Sequence, residues 1–309
     1  MSSTHSTRLR GTAPSLALCA GAVLLAFQLG ARTTAQDAAP RPQQQPGPTL
    51  AQRPSHELLN ATLWVQASAE YRGLCHQAYG QATRQLEVAL RNPGWTAELE
   101  QSKTPAPELA KLPPAVILDV DETVLDNSYY EARLILSGGT YGSKTWGAWC
   151  KEERATPVPG ALDFCRAAHA AGVTVFYVTN RAAELAEATR NNLRKQGFPL
   201  REGVEVVRAK TDTSDKQPRR DAIAKEYRIL LLIGDNGSDF AKPLLAESNA
   251  ETQRYADERA GWWGERWILL PNPMYGHWEA NAVQRKWGEE NDLLRLQLRA
   301  GALSSQPKR

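Results

Sequence analysis

Cysteine is scarce, with four in 309 residues, and none sits in a CxxC pair or at a Cys/His spacing suited to zinc. A disulfide-dense scaffold and a thiolate metal site are both excluded. No stretch reads GxxxxGK[ST], GxSxG or HExxH. P-loop nucleotide hydrolysis, a nucleophile-elbow hydrolase and a zinc peptidase are therefore unsupported. There is no internal repeat. Charge of one sign is also missing: Lys and Arg number 37 against 34 Asp and Glu. The surplus is Arg8, Arg10 and Arg32, in a stretch of 35 residues without an acid, so the remainder balances. A chain without a basic excess is no electrostatic binder of nucleic-acid polymers. With 42% hydrophobic and 23% charged residues, wholesale disorder and a collagen-like repeat are excluded, and the length suffices for a sizeable core.

The N-terminus reads as an export signal. Arg8 and Arg10 precede an uncharged, largely apolar run from Ala13 to Ala31, and small residues follow at Thr33 and Ala35. Residues 1–35 are expected to be a signal peptide cleaved after Ala35, placing the protein in the periplasm, at the outer surface or in the medium. An uncleaved anchor is the alternative, weakened by Gly21, Gln28 and Gly30. Cys19 is preceded by Leu18 rather than a small residue, which argues against lipidation. Residues 36–54 hold five prolines and five glutamines and read as an unfolded linker. Cys75, Cys150 and Cys165 read as buried free thiols, although an exported protein could pair two of them.

The folded part is expected over residues 55–300, with a flexible tail over 301–309. A helical pattern opens at Leu58, Leu59, Leu63, Trp64 and Val65 and resumes through Tyr71, Leu74, Tyr79, Ala82, Leu86 and Leu90, predicting a helical N-terminal extension. Apolar runs at 115–118, 173–178, 229–233 and 267–270 each end in polar residues or a proline. Helical patterns over 160–171, 182–196 and 216–227 lie between them. Strands alternating with helices predict an α/β fold with a largely parallel sheet. Residues 122–157 are too long for a simple connection and too aromatic to be idle, so a small cap is expected there.

In parallel sheets ligands bind beyond the carboxyl ends of the strands. Asp119, Asp121, Thr179, Asn180 and Asp235 fall at those ends. Asp119 and Asp121, two apart after a buried strand, can face one pocket, which suits phosphoryl transfer. Asp119 would be the nucleophile. Asp121 would protonate the leaving oxygen and later activate water; alternatively it only caps a turn. Asp235 and Asp239 add carboxylates of the kind magnesium prefers, with Asp119 and Asp235 as direct ligands. Asp239 either orients the nucleophile or a metal-bound water, or is an ordinary loop acid.

This grouping resembles the haloacid-dehalogenase-like (HAD) hydrolases with four aspartates, and among them the secreted bacterial class C acid phosphatases, several of which are 5′-nucleotidases. The similarity runs from about Leu58 to about Trp287. It is carried by LLNATLWVQASAEY from Leu58, ILDVDETVLDNS from Ile117, WGAWC from Trp146, VPGALDF from Val158, YVTNR from Tyr177, GDNGSDF from Gly234 and LPNPMYGHWE from Leu270. The resemblance implies a HAD-like Rossmannoid sheet with a cap and an Mg2+-dependent acid phosphatase acting through an aspartyl-phosphate. Asp119 is then nucleophile and metal ligand, and Asp121 the general acid/base with its backbone carbonyl also on the metal. Asp235 is the further ligand, and Asp239 is second shell or bound via water. Thr179, Asn180 and a lysine would bind phosphate, and Lys216, opening a helix, fits that role better than Lys210. Trp146 and Tyr275 match positions that sandwich a nucleobase, although without the resemblance they would read as cap packing. Trp149 reads as core. His277 lines either the base or only the rim. A homodimer is possible on the same grounds. A different class, a surface protein binding a ligand such as haem, is opposed by the intact aspartate set and by five histidines without an axial pair.

Overall fold

In the computed structural model the described residues are 56–285 and 292–305. The expected signal peptide, the linker and the end of the C-terminal tail lie outside them. The expected apolar runs become strands because they are buried on both faces, as parallel strands require. β1 (Pro114–Leu118) occupies the middle of a five-stranded sheet. After β1 the chain forms β2 (Leu125–Asp126), α4 (Ser128–Ser137), α5 (Ser143–Glu152) and β3 (Thr156–Pro157). Three helices precede β1, namely α1 (Leu59–Ala67), α2 (Ala69–Arg91) and the short α3 (Ala106–Leu109). The sheet then continues through α6 (Ala161–Ala170), β4 (Thr174–Ala182), α7 (Ala186–Gln196), β5 (Val207–Lys210), α8 (Gln217–Ala224) and β6 (Arg228–Gly234). It closes with α9 (Asn249–Glu258), β7 (Trp267–Leu269) and α10 (His277–Ala282), followed by α11 (Asp292–Ala302).

The strand order is β5-β4-β1-β6-β7, and all pairings are parallel. From β1 the chain winds outward to β4 and β5, then returns to the far side for β6 and β7. Connections thus leave β1 and its neighbours in opposite directions, which opens a crevice at the carboxyl edge. Register places Leu118 beside Tyr177 and Ile233, so the residues following each strand emerge together. All seven residues of β6 are buried. Each fully buried Leu or Ile there contributes roughly 2–3 kcal/mol.

β2 and β3 pair antiparallel, Leu125 with Pro157 and Asp126 with Thr156. They form the stalk of the cap expected over 122–157, and α4 and α5 form its body. β5 escaped the sequence reading. Only Val207 in it is fully buried, so this edge strand has no apolar run to announce it. The N-terminal pattern is two helices, because Ser68 adopts an extended conformation between them. Its hydroxyl accepts from Tyr71 N at 3.0 Å, satisfying one of the orphan amides that open α2. The stripe Tyr71, Cys75, Tyr79, Ala82, Leu86 and Ala89 then turns into the core. Tyr79 Oη donates to Thr123 O at 2.6 Å, tying this helix to the segment after β1. Cys75, Cys150 and Cys165 are buried and free. Among the described residues no helix is long and apolar enough to cross a membrane.

Ser68→Ala is expected to lower the unfolding free energy by about 1 kcal/mol in urea denaturation. An unchanged midpoint would mean the cap contributes nothing.

Candidate active site

The carboxyl ends of β1, β4 and β6 open into a cavity of about 690 Å³ lined by Asp119, Asp121, Asn180, Arg181, Lys216, Asp235 and Asp239, with Trp146, Tyr275 and His277 farther out. Asp119 leaves β1 with its amide bonded to Ile233 O at 2.9 Å, which seats it beside the end of β6. Asp235 follows β6. Thr123 Oγ1 donates to its Oδ1 at 2.8 Å and Asn272 Nδ2 to its Oδ2 at 2.9 Å. Asp239 lies one short turn later, within a 3-10 helix over Gly237–Asp239. Its Oδ2 accepts from Asn236 N at 3.0 Å, and its other oxygen points inward. That fold-back passes directly over Gly234. A Cβ on Gly234 would sit 2.3 Å from Asp239 Oδ2, so glycine is required by close approach.

Lys216, at the start of α8, ties two of these acids together. Its Nζ lies 2.5 Å from Asp119 Oδ1 and 2.6 Å from Asp239 Oδ1, with its side chain only 4% exposed. Both carboxylate oxygens thus share one ammonium as a charge-assisted hydrogen-bond donor. Burial works against the lysine's charge, but Asp119 and Asp239 outweigh it and hold its pKa above the ordinary value. For Asp119, burial pushes the carboxyl well up against the pull of Lys216, and the nearby Asp239, Asp235 and Asp121 push the same way. Burial and Asp239 likewise push Asp235 up to about 7.

One lysine leaves negative charge over. Asp119, Asp235 and Asp239 each offer an oxygen within 4.8 Å of the others. Two carboxylates about 4 Å apart repel by about 4 kcal/mol at an effective dielectric near 20. A divalent cation with hard oxygen ligands removes that repulsion, and the donor set is the one such an ion takes. The residues present fit a metal.

Asp121 stands apart from this cluster, at 16% side-chain exposure. Its partners are Asn127 Nδ2 at 2.9 Å, Arg181 Nε at 2.9 Å and the Thr179 hydroxyl at 3.3 Å. These are side-chain partners, as an acid held toward a pocket would have. Thr179 is fully buried, next to the cavity wall. The side-chain amide of Asn180 spans Ser214 O at 3.0 Å and the Arg219 guanidinium at 2.7 Å. Lys210 lines an adjoining cavity of about 400 Å³ and not the aspartate cavity, whereas Lys216 meets the acids directly.

Trp146 packs against Tyr130 and Tyr141, with ring centroids 5.1 and 6.3 Å away. It and Tyr275 border the aspartate cavity together. Trp149 is buried and donates to Asn127 Oδ1 at 2.8 Å, as a core residue. His277 Nδ1 meets Asn236 Oδ1 at 3.0 Å, and burial lowers its pKa.

Sequence reasoning missed the braces. Arg220, 1% exposed, pairs with buried Glu98 at 3.3 Å and donates to the backbone of Asp239 at 2.9 Å. Arg220 lies four residues after Lys216, and nothing in the local sequence marks it as buried. Arg181 was visible only as the end of Tyr-Val-Thr-Asn-Arg.

The comparisons agree with this architecture. Residues 33–278 match the HAD superfamily, subfamily IIIB (acid phosphatase). The structure of the class C acid phosphatase from Bacillus anthracis superposes with a TM-score of 0.70 at 29% identity, covering 81% of this chain and 98% of that one. The Bacillus anthracis class C acid phosphatase with tungstate bound gives 0.69 at 28%, with the same coverage.

Glu131 also lines the cavity. Burial, then Glu279, pushes its carboxyl up to about 7. The protonated form is favoured by folding, so this contribution to stability is complete below the unfolded pKa and is lost as pH rises through about 7. Relative to the wild type, Glu131→Gln is expected to gain about 3 kcal/mol of unfolding free energy between about pH 4 and about pH 8. A difference independent of pH, in urea titrations at both values, would contradict it.

Proposed function

The chain belongs to the acid phosphatases of the HAD superfamily, subfamily IIIB, and we propose that it is an Mg2+-dependent enzyme hydrolysing nucleoside 5′-monophosphates through a phosphoryl-Asp119 intermediate. Its family hydrolyses phosphoric monoesters, so what is proposed is the metal, the route and the substrate. The observation that carries the route is the separation of two aspartates into two environments. Asp119 is buried in the Lys216 cluster, whereas Asp121 is more exposed and held by neutral and cationic donors. Two carboxylates placed so differently suit two roles.

In this reading Asp119 and Asp235 would hold the cation directly, Asp239 through water or from the second layer, and the Asp121 carbonyl would be a further ligand. When bound, Mg2+ supplies charge stabilisation for the phosphoryl oxygens. Lys216 neutralises the phosphoryl group from the opposite charge sign and keeps Asp119 aimed at phosphorus. Asp119 displaces the ester oxygen, and Asp121 gives that oxygen its proton as the P–O bond breaks. A water then attacks phosphorus and passes its proton to Asp121, releasing phosphate and freeing Asp119. Thr179, at 3.3 Å from Asp121 Oδ2, turns its hydroxyl to a phosphoryl oxygen, and Asn180 lines the same side. A relative known with tungstate bound supports an oxyanion as the kind of ligand this fold takes.

The nucleotide preference rests on Trp146 and Tyr275, aromatic faces on the same cavity as the acids. Stacking accepts any base without reading it. Haem binding has no comparable support. The His56 ring contacts Gly139 O and Leu58 N, His277 contacts Asn236, and His76 and His169 are exposed on α2 and α6. Export and homodimer formation remain proposals that rest on residues 1–35 and on the resemblance respectively.

Phosphate release should be measured from 5′-AMP, 3′-AMP and p-nitrophenyl phosphate, with Mg2+ and with EDTA. EDTA is expected to abolish turnover and Mg2+ to restore it, with 5′-AMP preferred over 3′-AMP. Asp119→Asn is expected to lose at least about a thousandfold in kcat with an unchanged circular dichroism spectrum. Full activity in that variant would end the mechanism. Equal use of the two AMP isomers would end the nucleotide assignment alone.

A further inference from the structure

Arg181 lies at the end of β4, two residues past Thr179, and has no role in the mechanism just described. Its guanidinium is 1% exposed, a costly place for a charge without good partners. Nε donates to Asp121 Oδ1 at 2.9 Å, and Nη2 lies 2.8 Å from the same oxygen. Asn127 Nδ2 donates to that oxygen too, at 2.9 Å. Oδ1 is therefore crowded with donors, while among the described residues Oδ2 receives only the Thr179 hydroxyl, at 3.3 Å.

The rest of the guanidinium faces the cap on one side and α7 on the other. Nη2 reaches Asn127 Oδ1 at 3.3 Å, and Nη1 reaches Thr189 Oγ1 at 3.3 Å. Its Cζ sits 5.5 Å from the centroid of the Trp146 ring, within cation–π range. One planar group thus joins the aspartate after β1, the end of β4 and helix α5 of the cap. Lysine, a point charge on a flexible stem, cannot reproduce that fork.

We propose that Arg181 is a positioning residue for Asp121: it occupies Oδ1, reserves Oδ2 for the ester oxygen, and registers that orientation against Trp146 of the cap. The proposal rests on Asp121 being the acid/base. Oδ2–H gives its proton to the ester oxygen as the P–O bond breaks and Asp119 takes the phosphoryl group. Oδ2 later accepts a proton from the attacking water. Arg181 stays protonated throughout and exchanges no proton. A carboxyl free to rotate would present the wrong oxygen part of the time, and small misplacements of a reacting group are costly.

Leaving-group dependence tests this, because a purely structural arginine would affect all esters alike. Benzyl phosphate expels a poor alkoxide and needs the acid, whereas p-nitrophenyl phosphate expels a good phenoxide. The quantity to compare is kcat/KM, which reads the steps up to expulsion and not the shared hydrolysis of phosphoryl-Asp119. In the full-length protein, Arg181→Gln is expected to lose about tenfold more kcat/KM on benzyl phosphate than on p-nitrophenyl phosphate. Arg181→Lys should lose in the same direction by less, and it serves alone if circular dichroism shows the glutamine variant unfolded. Asp121→Asn is the reference and should be more selective than either. Equal losses on both esters in the arginine variants, with Asp121→Asn selective, overturn the proposal. An unselective Asp121→Asn would instead remove the acid role itself, and with it the premise for Arg181.

Discussion

Everything at the carboxyl edge of the sheet depends on how buried negative charge is balanced. Asp119, Asp235 and Asp239 converge because the ends of β1 and β6 are adjacent, and three carboxylates that close cannot all stay ionised in a dry site without cations. Lys216 supplies one charge, bridging Asp119 and Asp239. Burial first, and then the neighbouring carboxylates, raise Asp119 and Asp235, and a divalent ion would offset that charge. The same imbalance that makes the cluster costly to fold suits it to hold a cation, and it is the basis of the phosphoryl site proposed here.

The scaffold is arranged around that cluster. Gly234 lets Asp239 fold back over β6, and Asn236 caps the turn that carries it. Arg220 reaches from α8 to hold the Asp239 backbone, while its own charge is met by Glu98, the residue that follows Ala97, which is bonded to Ile229. Lys216 and Arg220 sit one turn apart on α8, so a single helix both neutralises the acids and fixes the loop that presents them. Asp121 belongs to a second charge system, with Arg181 and Asn127, that faces the cap. Keeping the two systems separate is what the proposed division of labour requires, with one aspartate attacking and the other handling protons.

The sheet and its edge were legible because buried parallel strands leave continuous apolar runs, and the runs ending at Asp119, Thr179 and Asp235 mark where a ligand must lie. The length of 122–157 marked it as more than a connection, and the structure places β2, α4, α5 and β3 there. β5 was not legible, since Val-Arg-Ala-Lys on a sheet edge buries only Val207 fully and shows no pattern. Nor were the roles of Arg181 and Arg220. An arginine in sequence reads as solvent-facing, and only the three-dimensional positions of Asp121 and Glu98 reveal that these two are buried. The resemblance asks for a lysine and the helix start favours Lys216 over Lys210; the structure brings Lys216 to Asp119 and Asp239 and leaves Lys210 on an adjoining cavity.

The central claim is that Asp119 carries the phosphoryl group. Borohydride reduces an aspartyl-phosphate to homoserine. The most direct test is to quench the Asp121→Asn variant with borohydride during turnover of p-nitrophenyl phosphate, then map peptides by mass spectrometry. The account predicts homoserine at position 119 and nowhere else. An unmodified Asp119 beside a reduced residue elsewhere, or no reduced residue while product still forms, would contradict it.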